Sequence, residues 1–282
     1  MKTKYKKYKC INCEKKDFKL VFNYTKPDKY EKQIGINFYK KNFNRKIFTC
    51  KNCDFHFSNY IFYNNPMDKI YKKNYRSNRL HNPMVLLKKI VKLKYKNSET
   101  KQRINLIKKY IKNLENSRII PIKKKRKLLD VGGASGIFAY EFKDKNWSSA
   151  VLDPSIQGNF IKNLNIRYIE KKINNRLKLD KKYDLVTLNY TLEHILKPLE
   201  TLKIIKNFIN KNGLLYIEVP HSISFKKLKK HDDIFNSCHL WFWNPFNISL
   251  MLKKLNYEVF FIKSGKEIRG HYSLKIIARP KN

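Results

Sequence analysis

Long apolar runs are missing from this sequence, and acidic residues are few beside the basic ones. No stretch approaches the ~20 apolar residues that a membrane-spanning helix needs. The basic start MKTKYKKYKC runs straight into polar INCEKKD, without the apolar core of a signal peptide. Membrane insertion and secretion are therefore not expected, and the chain reads as cytoplasmic. Only 22 Asp and Glu face 63 Lys and Arg in 282 residues, a formal net charge of +41. Such a charge ordinarily points to nucleic acid or anionic surfaces. Yet Arg, the residue suited to bidentate phosphate and base contacts, numbers 10 against 53 Lys. Lys, Asn, Ile and Tyr, encoded mainly by A/T-rich codons, make up 133 residues, so compositional bias accounts for much of the charge. Nucleic acid is a partner that the composition allows but does not favour. Hydrophobic content of 42% is enough for a buried core.

Cysteine is also sparse, and four of the five fall in two pairs, Cys10-Ile-Asn-Cys13 and Cys50-Lys-Asn-Cys53. Two CxxC knuckles can present four thiolates to one tetrahedral Zn²⁺. Two disulfides or unrelated thiols are the alternative. A closed four-Cys site leaves no open position, so its zinc would be structural. Strand-like stretches, Phe18–Phe22 and Ile34–Phe38, lie between the knuckles. Residues 54–82 are aromatic and Asn-rich and read as a connecting segment, followed by two amphipathic helices between Met84 and Asn116. The KKKRK run at 123–127 reads as the solvated approach to a buried strand.

Beyond Lys127 short apolar runs alternate with helical stretches. Strands are expected at Lys127–Val131, Ser149–Leu152, Ile166–Ile169, Leu185–Asn189, Leu214–Val219, Glu258–Ile262 and Leu274–Ala278, with helical segments between the first five. That is the βαβ pattern of a parallel sheet. The last two strands are close enough to form an antiparallel hairpin at one edge.

The chain has only eight glycines, yet three stand within five residues in Leu128-Leu-Asp-Val-Gly-Gly-Ala-Ser-Gly136. At the end of a first strand, glycines permit a tight turn and close approach of a ligand to the backbone. Asp153 ends the second strand, where a carboxylate can accept from ribose hydroxyls. The dehydrogenase fingerprint GxGxxG is not present; Gly132, Gly133 and Gly136 give GGxxG.

Here the sequence resembles the class I S-adenosylmethionine-dependent methyltransferases. Asp130, Gly132 and Gly136 match their acidic-x-Gly-x-Gly-x-Gly motif, with Ala134 in place of the middle Gly. Tyr183–His194 with Pro198 is similar to the family's fourth-strand segment, Leu214–Pro220 to its fifth strand, and His239-Leu-Trp-Phe-Trp-Asn-Pro245 to its HLxFFSP segment. The resemblance implies an α/β fold, a Rossmann-like seven-stranded sheet with an antiparallel terminal hairpin. It also implies S-adenosylmethionine as cofactor, held by Asp130, Gly132, Gly133, Gly136, Asp153, Asn189 and His194. Upstream, Cys53-Asp-Phe-His-Phe-Ser-Asn59 resembles the Cys-knuckle segment of sugar and surface-polysaccharide methyltransferases. The expected organisation is a small zinc-ribbon-like domain over 1–62 with Cys10, Cys13, Cys50 and Cys53 as metal ligands, a helical linker over 63–122, and the catalytic domain over 123–282.

Acceptors of such sheets bind beyond the carboxyl ends of the strands. His221 and His239 follow the fifth strand and are the candidate catalytic residues, with structural packing beside Trp241 and Trp243 as the alternative for His239. In keto-sugar C-methyltransferases a Tyr-x-Glu-His run supplies the base; aligned on His239, Cys238 replaces the Glu and Asn236 the Tyr, which argues against C-methylation. The expected reaction is methyl transfer to a small-molecule acceptor, a sugar hydroxyl. The competing readings are an RNA methyltransferase, since an rRNA-modifying family also carries a Cys-knuckle, and a zinc-containing binding module with a decayed cofactor site.

Overall fold

The computed structural model describes residues 8–35, 43–62, 83–155 and 164–281. Eleven strands and seven helices occur there in the order β1 Phe18–Tyr24, α1 Lys29–Gln33, β2 Arg45–Cys50, β3 His56–Ser58, α2 Pro83–Val91, α3 Glu99–Asn116, β4 Arg126–Val131, α4 Ile137–Phe142, β5 Trp147–Leu152, β6 Arg167–Ile169, β7 Tyr183–Asn189, α5 Pro198–Lys206, β8 Ile209–Pro220, α6 Ser224–Lys227, β9 Trp241–Phe242, α7 Pro245–Lys254, β10 Tyr257–Lys266 and β11 Tyr272–Pro280.

The main sheet has seven strands in the order β10-β11-β8-β7-β4-β5-β6. β4, β5, β6, β7 and β8 pair in parallel, while β11 runs antiparallel between β8 and β10. The continuous apolar runs Leu128-Leu129 and Leu185-Val186 are buried, because helices cover a parallel sheet on both faces. On one face, Ile104, Ile107, Ile111 and Leu114 of α3 pack with Phe142, Leu185 and Tyr216. Ser98 caps α3 by accepting from the Lys101 amide, and the i, i+3, i+7, i+10 spacing of the apolar residues fixes which side turns inward.

A second sheet, antiparallel throughout, has the order β1-β2-β3-β9. Its first three strands come from the knuckle region and its fourth from the HLWFWNP segment: His56 pairs with Phe242 and Phe57 with Trp241. Cys10, Cys50, Phe55 and Phe57 accordingly share one buried cluster with Leu129, Leu188, Trp241 and Trp243.

Several expectations need correction. Residues 54–62 are not a connector: they contain β3 and a 3-10 turn, and Phe55 and Phe57 are fully buried because aromatic side chains here fill the seam between the two sheets. Ile34 caps α1 rather than starting a strand, since Asp28 and Glu31 form a capping box that commits the segment to a helical turn; residues 36–38 of that expectation lie outside the described residues. No helix connects β6 to β7; residues 170–182 are irregular, with Asn174 accepting from the Arg176 amide in a turn. Arg126 of the basic run is buried and ion-paired with Glu115, whereas Lys124 and Lys125 are exposed as expected. Residues 63–82 of the expected linker lie outside the described residues. No helix among the described residues is long and apolar enough to cross a membrane.

Candidate functional site

β4 ends in Asp130 and Val131, and the chain then turns through Gly132–Gly136 into α4. Gly132 and Gly136 both adopt left-handed φ, +71° and +68°, and Ala134 does so at +44°. A Cβ on Gly132 would lie 2.4 Å from Thr191 Cγ2, and one on Gly133 would lie 2.5 Å from Asp130 Oδ2, so neither position has room for a side chain. Ala134 stands where the family motif has glycine, and its strained φ is held by an amide hydrogen bond of 2.9 Å to Asp153 Oδ2. The other Asp153 oxygen accepts from the Ser155 amide at 2.8 Å, which fixes the carboxylate at the tip of β5.

Asp130 is buried and accepts from Thr187 Oγ1 at 2.7 Å and Asn189 Nδ2 at 2.9 Å. Burial pushes its pKa up to about 7, against the lowering effect of those two donors. The Asn189 side-chain oxygen is a buried acceptor with no partner among the described residues. The predicted cofactor residues Asp130, Gly132, Gly133, Asp153 and Asn189 therefore meet at the carboxyl ends of β4, β5 and β7.

After β7 the chain makes a 3-10 turn, Leu192–His194, and runs beside the segment 238–243. Leu240 donates its amide to the Glu193 carbonyl at 2.8 Å, and Trp241 Nε1 donates to the Ile195 carbonyl at 2.7 Å. His194 Nδ1 lies 2.9 Å from the Cys238 carbonyl, and its ring is 4.9 Å from that of His239 between centroids. His239 Nδ1 in turn contacts the Ile234 carbonyl at 2.5 Å. Burial lowers the His239 pKa to about 4, so the ring is neutral at ordinary pH. His221 stands elsewhere: it is buried at the end of β8, bridged to Trp243, with Nδ1 lacking a partner among the described residues. The structure thus joins His194 to His239, and no described contact links His221 to either.

The knuckle region grips this segment. Asp28 accepts from the Ser237 amide at 2.6 Å and from its hydroxyl at 2.9 Å, Arg45 donates to the Phe235 carbonyl at 2.6 Å, and Tyr24 donates to the Lys230 carbonyl at 2.9 Å. In the knuckles themselves, Cys10 and Cys53 sulfurs are 3.6 Å apart and those of Cys13 and Cys50 3.5 Å. All four lie within 4.8 Å of one another. These spacings are too long for a disulfide at ~2.05 Å and close to the ~3.8 Å edge of a tetrahedron with metal–sulfur bonds of ~2.3 Å. The two turns are built alike: Glu14 and Asp54 are both left-handed and donate their amides to the Cys10 and Cys50 carbonyls at 2.8 and 2.9 Å.

A family model described as "Methyltransferase domain" matches residues 100–260, more than half of the chain. The chain belongs to the class I S-adenosylmethionine-dependent methyltransferase family. Among solved structures, the methyltransferase is similar in fold to magnesium protoporphyrin IX methyltransferase from Synechocystis, with 13% identity, 76% of this chain and 100% of that chain covered and a TM-score of 0.54. It is also similar to 1,6-didemethyltoxoflavin-N1-methyltransferase from Burkholderia thailandensis, with 12% identity, 74% and 88% coverage and a TM-score of 0.51. Both of those structures contain S-adenosylhomocysteine. No curated protein sequence matches the methyltransferase.

Sequence reasoning missed a buried group beside the site. Arg103 of α3 forms a two-pronged ion pair with Glu218 of β8, one arm at 2.7 Å, and Tyr216 donates to the same carboxylate at 2.6 Å. Burial alone would raise the Glu218 pKa, but the Arg103 charge outweighs it and holds the carboxyl below its usual range. Tyr190, left-handed at φ +48°, places its hydroxyl 2.7 Å from His271 Nε2 next to this pair. A lone Glu inside the apolar strand Leu214-Leu-Tyr-Ile-Glu-Val was the available signal, because a charge there needs a buried partner.

Proposed function

We propose that the protein transfers a methyl group from S-adenosylmethionine to a hydroxyl of a small, sugar-type acceptor in the cytoplasm. The supporting observation is the pairing of β3 with β9, which builds the Cys-knuckle unit into the wall carrying His239. An accessory domain that gripped RNA at a distance from the catalytic sheet would have no need of that ladder. The sequence resemblance to Cys-knuckle methyltransferases of sugar pathways points the same way.

When bound, S-adenosylmethionine supplies an electrophilic methyl carbon. The residues that would hold it are the turn Gly132, Gly133 and Gly136, Asp130, Asp153 and Asn189; His194, expected among them from the sequence, lies against His239 instead. Asp153 uses two of about four lone-pair positions on backbone amides and retains others for ribose hydroxyls. The orphaned Asn189 oxygen suits a donor on the ligand. On the acceptor side, His239 and His221 are the available imidazoles, and His239 is neutral, able to take a proton or a cation.

The same reading assigns one structural Zn²⁺ to Cys10, Cys13, Cys50 and Cys53, in a unit spanning 1–62, with a helical section over 63–122 and the catalytic unit over 123–282. A screen of labelled methyl transfer into nucleotide sugars and into total RNA tests the acceptor. Label in nucleotide sugars is expected; label confined to RNA overturns the sugar reading.

A further inference from the structure

Glu193 is fully buried, yet neither carboxylate oxygen has a hydrogen-bond partner among the described residues. A buried carboxylate left in that state is expensive and calls for a cation or a proton. Two imidazoles stand against it. His194 Nε2 is 3.8 Å from Glu193 Oε1, beyond hydrogen-bond range, and one donor atom each from Glu193, His194 and His239 lie within 4.8 Å of one another.

In both rings one nitrogen is committed to a backbone carbonyl. The Nδ1 atoms of His194 and His239 each face a backbone carbonyl, of Cys238 and Ile234, and a carbonyl only accepts. In its neutral form each ring therefore carries its proton on Nδ1 and its lone pair on Nε2, as in metal-bound histidines whose second nitrogen is fixed by a carbonyl. Burial differs across the group: Glu193 is enclosed while both histidines are partly exposed.

We propose that Glu193, His194 and His239 form a divalent-cation site at the acceptor end of the main sheet. Two imidazoles and one carboxylate are the donor set of catalytic transition-metal centres that keep positions open for substrate oxygens. Donors sharing an ion at ~2.1 Å sit ~3.0–3.4 Å apart, so the three side chains close by about 1 Å around it. The open positions would take oxygens of the acceptor. That role rests on the hydroxyl-methylation reading, whereas cation binding itself does not.

Mn²⁺ is the probe, because a hard cation is held poorly by thiolates and leaves the four-cysteine cluster alone. The full-length protein, with its zinc content measured, is titrated with MnCl₂ and followed by the electron paramagnetic resonance signal of free Mn²⁺. One saturable site per chain is expected, weakened at least tenfold in both Glu193→Gln and His239→Asn, whose folding is checked by thermal unfolding. A wild-type protein without saturable Mn²⁺ binding overturns the site, whatever the variants do. Undiminished binding in either folded variant overturns the ligand set. Saturable binding in a protein that methylates only RNA supports the cation site while sinking the sugar reading; sugar methylation without Mn²⁺ binding does the reverse.

Discussion

Phe55 stacks on Trp241 with 5.7 Å between ring centroids and 14° between planes. One residue follows the second Cys-knuckle by two positions; the other follows His239 by two. This pair and the β3–β9 ladder tie the knuckle region to the segment that carries His239. Phe55→Ala should cost ~3–5 kcal/mol, the usual loss for a fully buried Phe. Urea denaturation followed by tryptophan fluorescence measures it, and a loss under about 1 kcal/mol would mean that the seam repacks without consequence.

The same coupling makes the zinc prediction stronger than a local one. One zinc per chain is expected by elemental analysis, and Cys53→Ala should lose it. Because β9 pairs with β3, the metal-free variant should also show altered tryptophan fluorescence and reduced turnover. Normal turnover in a zinc-free protein would show that the segment 238–243 holds its shape alone.

Asp153→Ala removes the carboxylate that fixes Ala134 and, in our reading, receives the ribose. Cofactor affinity should fall by ~1–3 kcal/mol, or roughly tenfold to a hundredfold. Isothermal titration with S-adenosylhomocysteine decides this, and unchanged affinity removes Asp153 from the site.

Asp130 yields a prediction about pH. Its folded pKa is raised to about 7, above the ordinary ~3.9 of an unfolded aspartate, so between those values the folded chain binds the extra proton. Stability of the cofactor-free protein therefore declines as pH rises through that window, by up to ~1.4 kcal/mol per unit from this group. Asp130→Asn should remove that component of the slope. Denaturant midpoints of both proteins at pH 5, 6 and 7 provide the comparison, and parallel curves would show that Asp130 is ionised throughout.

Arg103→Met strands a fully buried Glu218. Breaking such a pair by removing one partner costs ~3–5 kcal/mol, more than the pair adds when intact. Thermal unfolding of the variant should show a large drop, partly restored by Arg103→Met combined with Glu218→Gln. No restoration would mean that α3 docks mainly through its apolar face.

The main sheet was legible because its signals are local. Apolar runs of strand length, a glycine cluster in a glycine-poor chain and two CxxC pairs each follow from what a short stretch of backbone can do by itself. Asp130, Asp153 and the four cysteines stand where those patterns put them: on the next-to-last residue of β4, just past the end of β5, and in the two knuckle turns. The fate of residues 54–62 was not legible, because an aromatic, Asn-rich stretch is equally suited to a surface connector and to a seam. Its pairing with β2 on one side and with β9, almost two hundred residues later, on the other makes it a strand inside a sheet. Likewise nothing near Glu193 in the sequence announces His239; the zippering of 193–195 against 238–241 brings them together. Local propensity and spacing determined most of the main-sheet elements and where the glycine turn after β4 lies. Tertiary packing decided which distant side chains share a buried space, since burial and the pairing of charge depend on neighbours that sequence distance does not reveal.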